Sequence, residues 1–421
     1  MAKDTTTTAA NFFKTHQRDF MSSDVPGISP LYGEIERAGK KIEIGGASNQ
    51  TKWAAKSYDG VGIGSLSEGG DFPTPDSSAA INFTLSCSHL AFSSQWTGHL
   101  VAQGSSKRSS WAGDYVKMKS KEIRNKVRSV IARLAASDGT GNFGQVSAVS
   151  GTTNGYITVT GATVHMFNKG ETLTIRDAAS SGSEQLTGGA GSGLIKDIDY
   201  VNNRVYLADV SGANANDYIA ISGLYDATVP EGIQSIVAQT GTIQNVNRAT
   251  VGNYLARAIY QDASSASLAS SDVDELRDLV EDVRGLREGS YRSKWCGNRK
   301  MRRWAILATI GQNRFAGLDT LQLGTAKMKI GEKSGTQEFM VDQYLTDGDL
   351  YCIDPSKWFM AFPEGMKGGY ALENNGSVFF QATAASGTGH SDSQYVYWIW
   401  RGNIGCDDFR AQGRRTNIVS P

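Results

Sequence analysis

The chain has 421 residues, too many for one small core, so it should divide into two or more structural regions. Lys plus Arg and Asp plus Glu both number 42, and this zero net charge does not imply indiscriminate nucleic-acid binding. The 48 glycines against 8 prolines, with abundant Ser and Thr, predict many turns and short strands.

Residues 1–50 read as an arm, with a short helical stretch around Asn11–Met21 and then Val25-Pro26-Gly27-Ile28-Ser29-Pro30, which cannot be regular helix. Residues 51–109 read as a long two-stranded loop. Ile81, Phe83, Leu85 and Cys87 alternate with Asn82, Thr84, Ser86 and Ser88, and Gly60 to Gly64 and Glu68-Gly69-Gly70-Asp71-Phe72-Pro73 supply turns. A hairpin of this kind is marginal alone in water. The apolar face of Ile81, Phe83 and Leu85 must therefore be covered, either by the body of its own chain or by a neighbour.

From Trp111 the period changes, and Val116, Ile123, Val127, Val130 and Leu134 mark one long amphipathic helix. It spans roughly 40 Å at about 1.5 Å per residue. It carries Lys117, Lys119, Lys121, Arg124, Lys126, Arg128 and Arg133 against Asp114 and Glu122, an excess that suits either a solvated face or a polyanion. Lys117, Lys121, Arg124 and Arg128 share a face by their spacing. These cations could instead pair with an acidic segment at 272–282.

Between 144 and 225, Tyr156–Thr160, Thr172–Arg176, Leu194–Asp199, Arg204–Val210 and Tyr218–Ile221 read as short strands, with a tight turn at Asn202-Asn203. Five local strands predict a small β-barrel or sandwich inserted after the helix. Asp272 is expected to cap a helix, with Glu275 completing a capping box, Val273, Leu276, Val280 and Val283 as its buried stripe and Gly289 as its stop. A helix at Met301–Ile310 follows, then strands near Glu338–Tyr344, Leu350–Ile353, Val378–Gln381 and Tyr395–Trp400. The last of these reads better as a buried strand than as an aromatic binding surface.

Catalytic signals are weak. Gly139-Thr140-Gly141-Asn142-Phe143-Gly144 fits a dinucleotide fingerprint by letter, but it follows a helix and precedes strands, so it reads as a helix stop. Asp347, Asp349 and Asp354, like Asp407 and Asp408, sit in turn contexts. The 4 cysteines and 5 histidines are scattered, so free thiols and no metal are expected. No catalytic, cofactor-binding or metal residue is assigned, and no enzymatic activity is expected. The beginning Met1-Ala2-Lys3-Asp4 lacks the apolar stretch of a signal peptide, and no apolar run approaches the ~20 residues that cross a bilayer. The expectation is a soluble, cytoplasmically made protein with no membrane partner.

The order of parts resembles the major capsid proteins of tailed bacteriophages, whose fold is shared with encapsulins and the floor of herpesvirus shells. The resemblance is carried by the arm, the loop with Glu68 to Pro73 and the long helix ending in Ser137-Asp138-Gly139. It continues through Glu231-Gly232-Ile233, the Ile243 to Thr250 segment, the helix opening Leu268-Ala269-Ser270-Ser271-Asp272, and Trp400 to Cys406 with Arg410 to Arg415 at the end. It implies an α+β fold with an N-terminal arm (1–50), an extended loop (51–109) and a spine helix (110–143). A β-rich insertion (144–225) precedes peripheral-domain segments at 226–297 and 375–421 and an axial domain at 298–374.

The function implied is a shell subunit that self-assembles into pentamers and hexamers around double-stranded DNA, within a virion made in the host bacterial cytoplasm. Its partners would be itself, a portal protein, a separate scaffolding protein, decoration proteins and DNA held without sequence specificity. In that setting Lys117, Lys121, Arg124 and Arg128 would face the DNA, and Ile81, Phe83 and Leu85 of the extended loop would be covered by a neighbouring subunit. An encapsulin-like compartment is the alternative with the same fold, and a β-rich adhesin or carbohydrate-binding protein is the alternative of another class.

Overall fold

The computed structural model describes residues 29–44, 50–58, 77–97, 123, 125–179, 182–189, 191–224, 229–284, 293–310, 328–332, 335–364, 370–371, 379–383 and 390–420. The helical stretch expected at Asn11–Met21, the turns at Gly60–Gly64 and Glu68–Pro73, and the stop at Gly289 lie outside these residues. The architecture is α+β, with three six-stranded sheets among the described residues.

The first sheet is organised by one long strand. Ten described strands lie between residues 40 and 221: β1 (Lys40–Ile44), β2 (Gln50–Tyr58), β3 (Ala79–Ser86), β4 (Ser88–Thr97), β5 (Asn142–Ser150), β6 (Tyr156–Thr160), β7 (Leu173–Arg176), β8 (Ile195–Asp199), β9 (Arg204–Leu207) and β10 (Tyr218–Ile221). Twelve short or C-terminal ones follow: β11 (Thr242–Ile243), β12 (Val246–Asn247), β13 (Ile259–Asp262), β14 (Lys294–Gly297), β15 (Met328–Glu332), β16 (Gly335–Val341), β17 (Leu350–Ile353), β18 (Trp358–Pro363), β19 (Tyr370–Ala371), β20 (Phe379–Thr383), β21 (His390–Cys406) and β22 (Gly413–Thr416). β21 pairs with β4 along Ser393–Gly402, while β20, β19 and β18 take successive stretches of it. β1 joins β18 in parallel, so the beginning of the described chain is stitched to its C-terminal third. Val396, Trp398 and Trp400 of β21 are buried, as a strand paired on both sides requires.

The second sheet is local. Its order is β7-β10-β5-β6-β9-β8, all between residues 142 and 221. The expected strands are present, and Asn142–Ser150 adds a sixth. The two outer strands meet: Leu173 N–H donates to Gly193 O at 2.8 Å and Ile195 N–H to Glu171 O at 2.8 Å. These bonds close the sheet into a small barrel, with register shifts between Val146 and Ala148, Ile195 and Asp197, and Tyr218 and Ala220 bending the strands at its corners. Ile157, Ile175, Val205, Leu207 and Ile219 fill it. Of the expected Asn202-Asn203 turn, Asn203 takes the left-handed backbone (φ 54°).

The third sheet, β13-β22-β17-β14-β16-β15, carries helices on one face. Helix α1 is Pro30–Ala38, α2 covers 125–136, α3 is Ile233–Ile236, α4 is Ser270–Arg284 and α5 is Arg299–Ile310. α4 and α5 pack through Val273, Leu276, Val280, Met301 and Ala305 onto Trp295, Phe339, Leu350 and Cys352. The opposite sheet face, with Cys296, Tyr351 and Ile353, joins the main core with α2 and the barrel.

Two local expectations are corrected here. α4 begins at Ser270, three residues earlier than a cap at Asp272 would give, and Asp272 sits in its first turn, accepting the Ala269 N–H at 2.9 Å. Glu275 contacts Gln261 and Arg415 in place of closing a capping box. Val283 is exposed, because the stripe that meets the sheet ends at Val280.

Candidate assembly surfaces

The hairpin face comes first. β2 and β3 pair antiparallel with Trp53 opposite Phe83, and the two rings stack at 5.4 Å. Phe83 also stacks on Phe409 at 5.6 Å, and Trp53 meets Phe359 edge-on at 5.1 Å. Leu85 and Cys87 pack with Ile44, Phe359 and Ala361. Thr84 N–H donates to Gln244 O at 2.9 Å, and the Tyr254 hydroxyl donates to Ser57 O. Ile81, Phe83 and Leu85 are thus buried by their own chain, which corrects the expectation that a neighbouring subunit covers them. The remainder of the expected loop, 59–76 and 98–109, lies outside the described residues.

The basic helix divides as well. Lys117, Lys121 and Arg124 lie outside the described residues. Arg128 is half-buried and pairs with Glu36 of α1 at 2.9 Å, so its charge is partly offset within the subunit. Residues 129–137 are buried all round, where an amphipathic stripe was expected, because the barrel covers the far side of α2. Arg133 is fully buried there. Its fork donates to both Glu171 oxygens at 2.7 and 2.8 Å and to Met166 O at 2.7 Å. Burial pushes the Glu171 carboxyl up, but the Arg133 and Asn168 hydrogen bonds outweigh it and hold the group below its usual range. Gly139 (φ 78°) and Gly141 (φ 83°) then turn the chain into the barrel; both take the left-handed backbone that a helix stop needs.

Among the described residues, α4 makes no ion pair with α2. Asp272 is bound by Arg415 of β22 at 3.0 Å, and Glu281 by Arg277 at 2.7 Å.

Three buried polar sites escape sequence reading. Asp342 accepts from Leu31 N–H at 3.2 Å, from Tyr344 N–H at 2.9 Å and from the Ser29 hydroxyl, so it anchors the start of α1. Burial raises its carboxyl above the usual range. Arg248 is buried without a paired carboxylate in contact. It donates to Ala256 O, Ser235 O and Ile236 O at 2.7 Å each, and burial lowers it to about 10. Asp349 is bound by Arg414 at 2.8 Å and by the Tyr351 hydroxyl at 3.1 Å. Sequence reading misses them because decisive partners, such as Ser29 for Asp342 and Arg414 for Asp349, come from distant parts of the chain.

The remaining acidic turns behave as spaced. Asp354 accepts from Ser356 N–H at 3.1 Å, Asp347 is held by Asn298 and Lys300, and Asp407 by Lys40 at 2.7 Å. A polar groove of about 510 Å³ runs between the barrel and the third sheet, with Asn203, Asp349 and Arg414 on its walls. The four cysteines are buried and form no disulfide, and among the described residues no cluster of His, Cys, Asp or Glu has metal-binding spacing. No described helix is long and apolar enough to cross a membrane.

No protein-family model and no curated protein matches the chain. Solved structures do. A capsid subunit of cyanophage A-1(L) superposes with a TM-score of 0.52 at 13% identity, covering 95% of this chain and 96% of that one. A subunit from the capsid of an empty GTA particle gives 0.47 at 11% identity, with 96% and 99% covered. The holo-SrpI encapsulin of Synechococcus elongatus gives 0.44 at 6% identity, with 96% and 94% covered. The cyanophage match runs through nearly the whole of both chains, and on it the chain has the tailed-phage major capsid fold.

Proposed function

We propose that this protein is the repeated subunit of an icosahedral shell, built as pentamers and hexamers, that encloses the double-stranded DNA of a tailed phage. The observation that carries the reading is the end-to-end superposition on a cyanophage capsid subunit. The role is structural, and the buried polar sites described above hold elements together within the subunit. The closed barrel between 142 and 221 is the inserted module, 298–374 the axial part, and 226–297 with 375–421 the peripheral part. Lys117, Lys121 and Arg124 carry the proposed DNA-facing charge, since Arg128 shares its own with Glu36. A portal, a separate scaffold and decoration proteins are the further partners.

Expression of the chain and negative-stain microscopy of the purified material test the reading. Closed shells of uniform diameter are expected. A chain that stays monomeric at high concentration, with and without co-expressed scaffold, overturns it. Shells that hold a protein cargo and exclude DNA during production alongside the neighbouring genes would instead identify a compartment.

A further inference from the structure

α4 and α5 lie side by side on one face of the third sheet but on opposite flanks of it. α4 packs over β13 and β22, and α5 over β14 and β16, in a sheet ordered β13-β22-β17-β14-β16-β15. Their outward rows differ in sign. Along α4, Asp274, Asp278 and Asp282 recur every four residues and are exposed, beside Leu279 (37% exposed) and Val283 (46%). Along α5, Arg299 and Arg303 form the equivalent exposed row, which Leu307 (50%) continues.

The two helices touch, yet no ion pair joins them among the described residues. Asp274, Asp278 and Asp282 have no cation within bonding distance there, and neither Arg299 nor Arg303 has a carboxylate. Within the subunit both rows are also misplaced. Arg299, Lys300, Arg302 and Arg303 crowd the first turns of α5, where the helix dipole disfavours cations, and Asp282 sits in the last turn of α4, where it disfavours anions. Each row has an apolar residue at its end, and each lacks a complement of the kind that the other row supplies.

We infer that the α4 row of one subunit docks on the α5 row of a second copy of this chain. Asp274, Asp278 and Asp282 face Arg299 and Arg303, and Leu279 and Val283 meet Leu307. The contact joins unlike rows of two copies, and repeated round a capsomer it uses both rows of every subunit. Charge pairing of this kind sets register and partner choice more than raw affinity. The inference rests on the shell reading and names one contact within its capsomers.

The test is charge reversal in the full-length chain. One variant carries Asp274→Lys, Asp278→Lys and Asp282→Lys, a second carries Arg299→Glu and Arg303→Glu, and a third carries both sets. All substituted positions are exposed, and circular dichroism with thermal unfolding checks that each subunit folds. Either set alone should give folded subunits with loss of particles from the sedimenting fraction, and the combined set should restore them. Particles from either single set, or no rescue by the combination, overturn the inference while wild-type shells keep the shell reading intact. Particles from the arginine variant that form normally but retain less nucleic acid overturn it too, and assign the α5 row to a polyanion. A wild-type chain that forms no particle strikes the shell reading, and this contact with it.

Discussion

Arg133 of α2 and Glu171 at the mouth of the barrel form a two-pronged, buried ion pair, with both oxygens of the carboxylate engaged at 2.7 and 2.8 Å. The guanidinium has a third acceptor, Met166 O, so its donors are well matched. The pair fixes the barrel to α2 at a point where neither charge reaches water freely. Removal of one partner strands the other, which costs about 3–5 kcal/mol, whereas removing both together costs much less. Arg133→Met should therefore lower the unfolding free energy of the subunit by that amount, and the Arg133→Met, Glu171→Gln double variant by clearly less. Denaturant titration checks this. The folded carboxyl titrates below its unfolded value of about 4.3. The contribution of the pair is thus complete above that pH and lost as pH falls through the lower folded value, so the gap between wild type and Glu171→Gln should close on acidification.

Phe83 is sandwiched between Trp53 and Phe409 within one chain. Truncation of a large buried ring costs about 3–5 kcal/mol. Phe83→Ala should then destabilise isolated subunits before any assembly defect is considered. Unfolding of dissociated subunits that matches wild type, combined with failed assembly, would show that the ring acts between subunits after all.

Legibility tracks sequence distance. The barrel strands are readable because each pairs with a neighbour a few tens of residues away, and alternation and turn residues mark them. The covering of Ile81, Phe83 and Leu85 is not, because Phe359, Ala361 and Phe409 arrive from the far end of the chain. The same holds for Arg133. Periodicity finds the apolar stripe of α2, but it cannot show that a barrel built from later residues buries the opposite side. The acidic and basic segments are visible as composition, yet their actual partners, Arg415 for Asp272 and Glu36 for Arg128, depend on packing.

Asp342 ties the N-terminal turn of α1 to the strand β16 exit. Its carboxyl is raised by burial, with the hydrogen bonds from Ser29, Tyr344 and Leu31 offsetting part of the effect. A carboxyl raised in the folded state contributes fully below its unfolded value, about 3.9, and loses that contribution as pH rises through the folded value. Asp342→Asn keeps an acceptor and removes the charge. The stability of wild type relative to this variant should decline from acid toward neutral pH. A difference that stays flat across this range refutes the assignment of the burial cost to this side chain.

The barrel closes on itself, and among the described residues its strands pair only with one another. A fragment of residues 142–224 should give a dispersed amide NMR spectrum with protected amides in β5, β6 and β10. Phe143 and Phe167, which pack together at 6.5 Å on the α2 side, should be the loosened region because α2 no longer covers them. A collapsed spectrum across the whole fragment would mean that the barrel depends on the rest of the chain.

The last prediction concerns the charge of the long helix. If its outer stretch faces packaged DNA, the cations there act on phosphate without reading sequence, and their effect weakens with salt. Arg128 is a poor probe, since its half-exposed pair with Glu36 is worth only about 0.2–1 kcal/mol and belongs to the subunit. Lys117→Gln, Lys121→Gln and Arg124→Gln in combination isolate the proposed role. Empty shells of normal diameter are expected from this variant. DNA-filled particles should lose their contents at lower temperature than wild type in low salt, and the difference should shrink as ionic strength rises. Normal retention of DNA across all salts would remove these residues from the inner face. Failure of empty shells would instead place them at a contact between subunits, where their loss is felt before any genome is enclosed.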